Sequence, residues 1–248
     1  MQYKNVTIIG TSHIARQSLQ EVRKAIEEQM PNLIALELDK QRYVALQNRK
    51  SSDKIPLYAI KRVGFKGFVF ALIASWASKK LGQHVGVMPG SEMLQAMKLA
   101  QKHKIPVALI DQNIEVTLRN FSQSLSWKER WNFVVDLFRG IILRKKEITF
   151  DLRKVPEEKI IRKMMDIVKQ RYPNIFRVLV TERNEYMAKR LSVLMQQHPD
   201  KKILAVVGAG HAEDILALLK QEKHKGGISY SFSFGALLKS YFFSLAVF

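Results

Sequence analysis

Two of the six histidines stand in matching surroundings near opposite ends of the chain. Val6-Thr-Ile-Ile-Gly10-Thr-Ser-His13 and Ala205-Val-Val-Gly208-Ala-Gly-His211 each read as an apolar strand, a glycine, two small residues, a histidine and then a helical pattern. A neutral imidazole at such a turn can ligate a metal or move a proton. The small residues beside it, Thr11, Ser12, Ala209 and Gly210, let backbone N–H groups approach a ligand closely. Each histidine could instead cap its helix or fill a loop. The matched pair is what argues against that.

Carboxylates stand at comparable places. Leu33-Ile-Ala-Leu-Glu37-Leu-Asp39 ends an apolar strand in two acids, and side chains two apart in a strand share a face. A carboxylate buried there costs several kcal/mol unless a cation or a donor meets it. Arg42, three residues beyond Asp39, could be that donor, and so could a divalent metal. The alternative is that Asp39 caps the next helix while Glu37 stays in solvent. Asp111 follows Ile105-Pro-Val-Ala-Leu-Ile110 in the same manner, and Glu92 opens a helix after Pro89-Gly90.

The elements that would position these groups follow from periodicity. Short apolar runs at Val6–Ile9, Leu33–Leu38, Val85–Met88, Val107–Ile110 and Ile203–Val207 read as buried strands. Between them Ser18–Met30, Ser91–His103 and Ala212–Glu222 carry apolar residues at helical spacing. The alternation predicts an α/β fold, a largely parallel central sheet flanked by helices, with a helical insertion between the fourth and last core strands. That insertion covers about 113–198, and a second helical segment covers about 56–81. One α/β domain over 1–234 and an apolar C-terminal tail over 235–248 is the expected organisation. In a parallel sheet the two histidine turns lie at the C-terminal strand edge, where such sheets place ligands.

Composition removes several other chemistries. With no cysteine, a disulfide framework, a thiolate-held zinc and a cysteine nucleophile are all excluded. Gly208-Ala-Gly210 lacks the third glycine of a dinucleotide fingerprint, because Glu213 stands there, and no Walker loop, HExxH helix or GxSxG elbow occurs. His103, His198 and His224 read as surface residues, and His84 has no evident role.

The net charge of +19 implies an anionic partner or surface. Lys40–Lys80 holds ten Lys or Arg residues against one acid, Asp53, around the apolar run Val63–Trp76. That pattern suits the surface of an anionic membrane as well as a core helix with solvated ends. The run is too short and too interrupted for a span. Basic residues are scattered over helices without a recognised nucleic-acid motif, so no specific nucleic acid is expected. The start of the chain lacks a signal-peptide pattern, so a cytoplasmic protein that can sit peripherally at the membrane is the expectation, with the apolar C-terminus open as a core element, an interfacial anchor or the start of a membrane segment.

Taken as a set, six stretches resemble the TraB/PrgY family, which groups with the Tiki proteases. They are Gly10-Thr-Ser-His13, Leu36-Glu37-Leu-Asp39-Lys-Gln-Arg42, Pro89-Gly-Ser-Glu92-Met, Leu109-Ile-Asp111-Gln-Asn-Ile114, Thr181-Glu182-Arg183-Asn-Glu-Tyr-Met187 and Val206-Val-Gly208-Ala-Gly-His211. Tiki-like relatives are regarded as metal-dependent proteases with two GxxH histidines and a glutamate. The resemblance therefore implies a peptidase in which His13, His211 and Glu37 form the catalytic and metal-binding set. Arg42, Asp111, Glu182 and Arg183 would support that set or contact substrate. It also implies a peptide or protein substrate and a labile divalent metal such as manganese or cobalt. PrgY-like members are associated with lowering the output of a secreted peptide pheromone. A non-catalytic peptide-binding regulator at a membrane surface is accordingly the competing expectation. Relatives usually continue into membrane-spanning helices, and Gly235-Ala-Leu-Leu238 resembles the start of that region. Asn113 stands where relatives often carry an acid.

Overall fold

The computed structural model describes residues 1–11, 16–48, 61–65, 68–69, 72, 75, 90–143 and 158–222. His13, the strand expected at Val85–Met88 and the tail over 235–248 lie outside the described residues.

Among the described residues five strands form one sheet: β1 (Gln2–Tyr3), β2 (Val6–Thr11), β3 (Leu33–Leu36), β4 (Val107–Leu109) and β5 (Ile203–Gly208). Their order is β1-β2-β5-β3-β4, and all pairings are parallel except β1 with β2. The last strand in sequence is thus central, and its six residues are all buried. A continuous apolar run is what a parallel strand covered on both faces requires.

Alternate residues of the strands build two cores. On one face Leu33, Ala35, Ile203, Ala205 and Val207 pack with Met187 and Leu191 of α8 (Glu182–Gln197) and Ala212 and Ile215 of α9 (Ala209–Glu222). On the other face Ile34, Leu36, Leu204 and Val206 pack with Val22 and Ile26 of α1 (Arg16–Gln29) and Met93 and Met97 of α3 (Ser91–Lys102). The result is three layers, a sheet between helices, as the alternation of elements predicted.

The remaining described helices are α2 (Lys40–Gln47), α4 (Ile114–Ser124), α5 (Trp127–Leu143), α6 (Glu158–Arg171) and α7 (Pro173–Phe176). α4 to α8 occupy the expected insertion between β4 and β5. A π-helical turn, Arg177–Thr181, joins α7 to α8. In the 56–81 segment the described residues 61–65, 68–69, 72 and 75 are helical. Val63 and Phe68 are buried there, whereas Phe65 is exposed. Arg62 of this segment bonds Glu115 of α4 at 2.9 Å.

Two of the boundaries that differ from the sequence expectation bear on the strand edge. β3 ends at Leu36, because the Leu38 N–H turns back onto the Leu36 carbonyl at 2.7 Å before Asp39 caps α2. α9 begins at Ala209, directly after β5, so Ala209 and Gly210 are helical and His211 is the third residue of the helix rather than the end of a loop. Such an abrupt start needs close packing. A Cβ on Gly10 would lie 3.1 Å from the Ala209 Cα and 3.2 Å from the Ala212 Cβ. Glycine at position 10 is what lets α9 settle onto the end of β2.

Candidate functional site

The C-terminal edges of the four parallel strands converge. β2 ends at Thr11, which is in register with Gly208 at the end of β5. Across β5, Leu36 of β3 is in register with Val206, and the Glu37 N–H continues the ladder to the Val206 carbonyl at 3.1 Å. Beyond β3, the N–H groups of Ile110 and Asp111 bond the carbonyls of Leu36 and Leu38. Thr11, two residues before His13 in sequence, therefore lies beside the start of α9. The chain brings Glu37 and Asp111 to the same edge.

Glu37 keeps the alternation of Leu33 and Ala35, so it faces the layer of α8 and α9. Its side chain is only 4% exposed. The Gly208 N–H donates to Glu37 Oε2 at 2.5 Å, and Arg183 Nη2 of α8 donates to Oε1. Arg183 also grips Asp111 with two nitrogens, Nε to Oδ1 at 3.1 Å and Nη2 to Oδ2 at 2.6 Å. Its Nη1 donates to the Leu179 carbonyl in the π-helical turn at 3.1 Å. The planar guanidinium serves two carboxylates and a carbonyl at once, which a lysine ammonium on a flexible stem would not do.

Arg42 extends the network outward. Its Nη2 meets Asp111 Oδ2 at 2.5 Å and its Nε meets Asp39 Oδ2 at 2.6 Å. Asp39 also accepts the N–H groups of Gln41 and Arg42 as the N-cap of α2, and that of Ile114 at 3.3 Å. Both readings of this strand end thus hold in part. Asp39 is a helix cap and Arg42 is its cation, but Glu37 is buried rather than solvated. For both arginines burial alone would lower the ionisation. The surrounding carboxylates outweigh it and raise both above the ordinary arginine value, Asp111 and Glu37 for Arg183, Asp111 and Asp39 for Arg42.

His211 completes the cluster. Its Nε2 lies 3.5 Å from Glu37 Oε1 and 3.3 Å from Arg183 Nη1, and its Nδ1 lies 2.6 Å from Asn184 Oδ1. The structure therefore brings together Glu37, Arg42, Asp111, Arg183 and His211. Glu182 turns away: it bonds Arg177 Nη1 at 2.6 Å and Asn120 Nδ2 at 3.2 Å, bracing the π-helical turn against α4. Asn113 caps α4 by accepting the Glu115 N–H at 2.8 Å, a task Asp and Asn perform alike.

Sequence reasoning missed Asn184, the Gly208 N–H and the π-helical turn. Asn184 sits within Thr181–Met187, three residues before the buried Met187, a spacing that puts it on the buried stripe of α8. No comparable pattern marks the π turn. His103 and His198 are the C-caps of α3 and α8. Among the described residues His103 Nε2 is buried without a hydrogen-bond partner, unlike the surface residue expected.

A cavity of about 680 Å³ opens beside the cluster between α6, α8 and α9. Its lining includes Met165, Asn184, Gly210 and Asp214, so it shares a wall with the surroundings of His211. Two donors on one tetrahedral ion, each at about 2.0–2.2 Å, stand roughly 3.4 Å apart. The 3.5 Å between Glu37 Oε1 and His211 Nε2 fits that spacing. Among the described residues no three side chains form a metal-binding group.

A sequence model of the TraB/PrgY/gumN family matches residues 2–226. An uncharacterized protein of Methanocaldococcus jannaschii is 34% identical over 220 residues, 88% of this chain and 54% of that protein. TraB domain-containing proteins of Homo sapiens and Bos taurus are 24% and 25% identical over 237 residues, 85% of this chain and 61% of theirs. The chain thus spans a little over half the length of these relatives.

Proposed function

The chain belongs to the TraB/PrgY/gumN family, and from that premise we propose that it is a metal-dependent hydrolase of peptides whose centre combines Glu37, His211 and His13. The observation that supports this reading is the approach of Glu37 Oε1 to His211 Nε2 at 3.5 Å, at the sheet edge where β2 also ends, at Thr11. Glu37, His211 and His13 would hold the ion. When bound, a labile divalent ion such as manganese or cobalt polarises a carbonyl and lowers the pKa of bound water. The protein's own groups do the rest. Arg183 and Arg42 hold Asp111 and Asp39 and so keep the strand edge rigid, and the cavity beside Gly210 admits the substrate chain.

Calorimetric titration with Mn²⁺, Co²⁺ and Zn²⁺ tests the reading on wild type and on the double variant His13→Ala/His211→Ala. Binding in the wild type that disappears in the variant is expected, followed by cleavage in a peptide screen. No binding, or binding indifferent to both substitutions, overturns it.

A second reading, a peptide-binding regulator at a membrane surface without cleavage, draws on two observations. Arg183 already bridges Glu37 and His211 as an internal cation. α5 presents Trp127 and Trp131 one turn apart, 82% and 69% exposed, with Arg130 stacked on Trp127 at 4.6 Å. Amphipathic aromatic rings with adjacent cations suit a lipid headgroup layer. No described helix is long and apolar enough to cross a membrane. Flotation with anionic but not neutral liposomes, lost in Trp127→Ala/Trp131→Ala, is the expected outcome of this reading. Failure to float with either removes its membrane half.

A further inference from the structure

We propose that Asn184 is a positioning residue that fixes the tautomer of His211, committing the Nδ1 proton to α8 and leaving the Nε2 lone pair to accept from Arg183. The assignment follows from donors and acceptors alone. Asp214 Oδ2 lies 3.0 Å from the Asn184 amide nitrogen, and a carboxylate oxygen only accepts, so the Nδ2 end of the amide faces Asp214. The Oδ1 end then faces His211 Nδ1 at 2.6 Å and also only accepts, so Nδ1 carries the hydrogen. A neutral imidazole has one N–H, which leaves Nε2 with its lone pair. On the other side of the ring Nε2 faces the acceptor Glu37 Oε1 at 3.5 Å and, nearer, a donor. Arg183 Nη1, which only donates, lies 3.3 Å from Nε2.

Consecutive residues of α8 therefore read the two nitrogens of one ring, Arg183 as a donor and Asn184 as an acceptor. Asp214 stands three residues after His211 on α9, so the chain of bonds leaves α9 at His211 and returns to it through Asn184. Asn184 is 2% exposed. In such a place a mispaired amide would leave a polar group unsatisfied, at about 1–3 kcal/mol. The arrangement resembles the outer partners that orient histidines in metal and catalytic sites, where the second ring nitrogen is held by a hydrogen bond.

The functional meaning of this tautomer rests on the proposed use of Nε2 as ligand. The tautomer itself is read independently, by long-range proton–nitrogen correlation NMR on protein labelled at histidine, with the His211 signals identified through His211→Gln. The wild type is expected to show an Nδ1–H ring at position 211. Asn184→Leu, of similar size but without an acceptor, is expected to move the proton to Nε2. Asp214→Ala, an exposed change, is expected to give a mixture because either end of the amide can then face the ring. An Nε2–H ring in the wild type overturns the proposal, as does an Nδ1–H ring unchanged in Asn184→Leu. Should that variant fail to fold, a single Nδ1–H tautomer in Asp214→Ala overturns it. A wild type that shows the Nδ1–H ring yet binds no metal would defeat the hydrolase reading and leave this inference standing.

Discussion

Replacing Arg183 by methionine removes one guanidinium from a cluster in which three carboxylates, Glu37, Asp39 and Asp111, share two arginines. The loss is not spread evenly. Asp111 keeps Arg42 at 2.5 Å and the Gln112 N–H at 2.7 Å, and Asp39 keeps its helix N–H groups. Glu37 keeps the Gly208 N–H but loses the guanidinium on Oε1. Breaking one buried pair from one side costs about 3–5 kcal/mol. Because Asp111 is still served, the expected loss is one such pair and not two. Arg42 is half-buried, and its carboxylates have other donors, so Arg42→Met should cost about 1–2 kcal/mol. Glu37→Gln placed in the Arg183→Met background should restore much of the loss, since the stranded charge is then gone. The raised ionisation of Arg183 makes its contribution complete at every pH below the ordinary arginine value. The cost should therefore vary little from about pH 6 to about pH 9. Urea unfolding followed by far-ultraviolet circular dichroism, with equal slopes in all variants, measures it. Equal costs for the two arginines, or no recovery with Glu37→Gln, would refute the account of Glu37 as a charge held chiefly by Arg183.

Three further changes test the scaffold. Glu129 accepts the Ser126 N–H at 3.0 Å while Ser126 Oγ accepts the Glu129 N–H at 3.2 Å, a capping box on α5, and its other oxygen accepts the Asn174 N–H at 2.7 Å at the start of α7. Burial works to raise its pKa, but the bonds from Asn174 and Ser126 win and hold it below its ordinary 4.5. Its stabilisation is therefore present above that value and is lost as pH falls through the lowered one. Glu129→Gln should cost about 0.5–2 kcal/mol at neutral pH and flatten the acid limb of a stability-versus-pH curve. Gly10→Ala should cost about 1–3 kcal/mol in urea unfolding, because the backbone of Ala209 stands against the new Cβ and α9 must shift. Gly90→Ala should cost about 1–2 kcal/mol by the same measurement, since residue 90 sits at φ +78 with Leu46 Cδ2 3.1 Å from the added carbon.

The strand edges and the groups they carry were legible because they depend on short-range pattern. β-branched runs ending in Glu37, Asp111 and Gly208 announce both a strand and what stands at its end. The link from Asp39 to Arg42 follows from helix spacing. The capping box at Ser126-Trp-Lys-Glu129 has an equally local signature. Strand order was not readable. That β5 enters between β2 and β3 is decided by which strand has both faces apolar enough to be central, and by the long path through α4–α8. The π-helical turn left no signature either, yet it supplies the Leu179 carbonyl that steadies Arg183. Arg183 and Asn184 were adjacent letters in one motif. Only packing reveals that one grips the carboxylates and the other faces the imidazole.

The place of Arg183 is what divides the two functional readings. Its guanidinium contacts the same pair of atoms, Glu37 Oε1 and His211 Nε2, whose 3.5 Å separation suits one ion. A second cation and the guanidinium cannot both hold that pair, so whatever binds there must move Arg183 from it. The same two nitrogens also hold Asp111 and the Leu179 carbonyl, so displacing Arg183 from the pair disturbs those bonds as well. Ion binding should therefore be weakened by the competition, and Arg183→Met should bind Mn²⁺ more tightly than wild type even as it loses stability without the ion. A regulator that uses the ion pair itself gives the opposite sign. Removing Arg183 then abolishes peptide binding and leaves metal affinity absent in both proteins. One substitution thus moves the two readings in different directions, and the same calorimeter reports both.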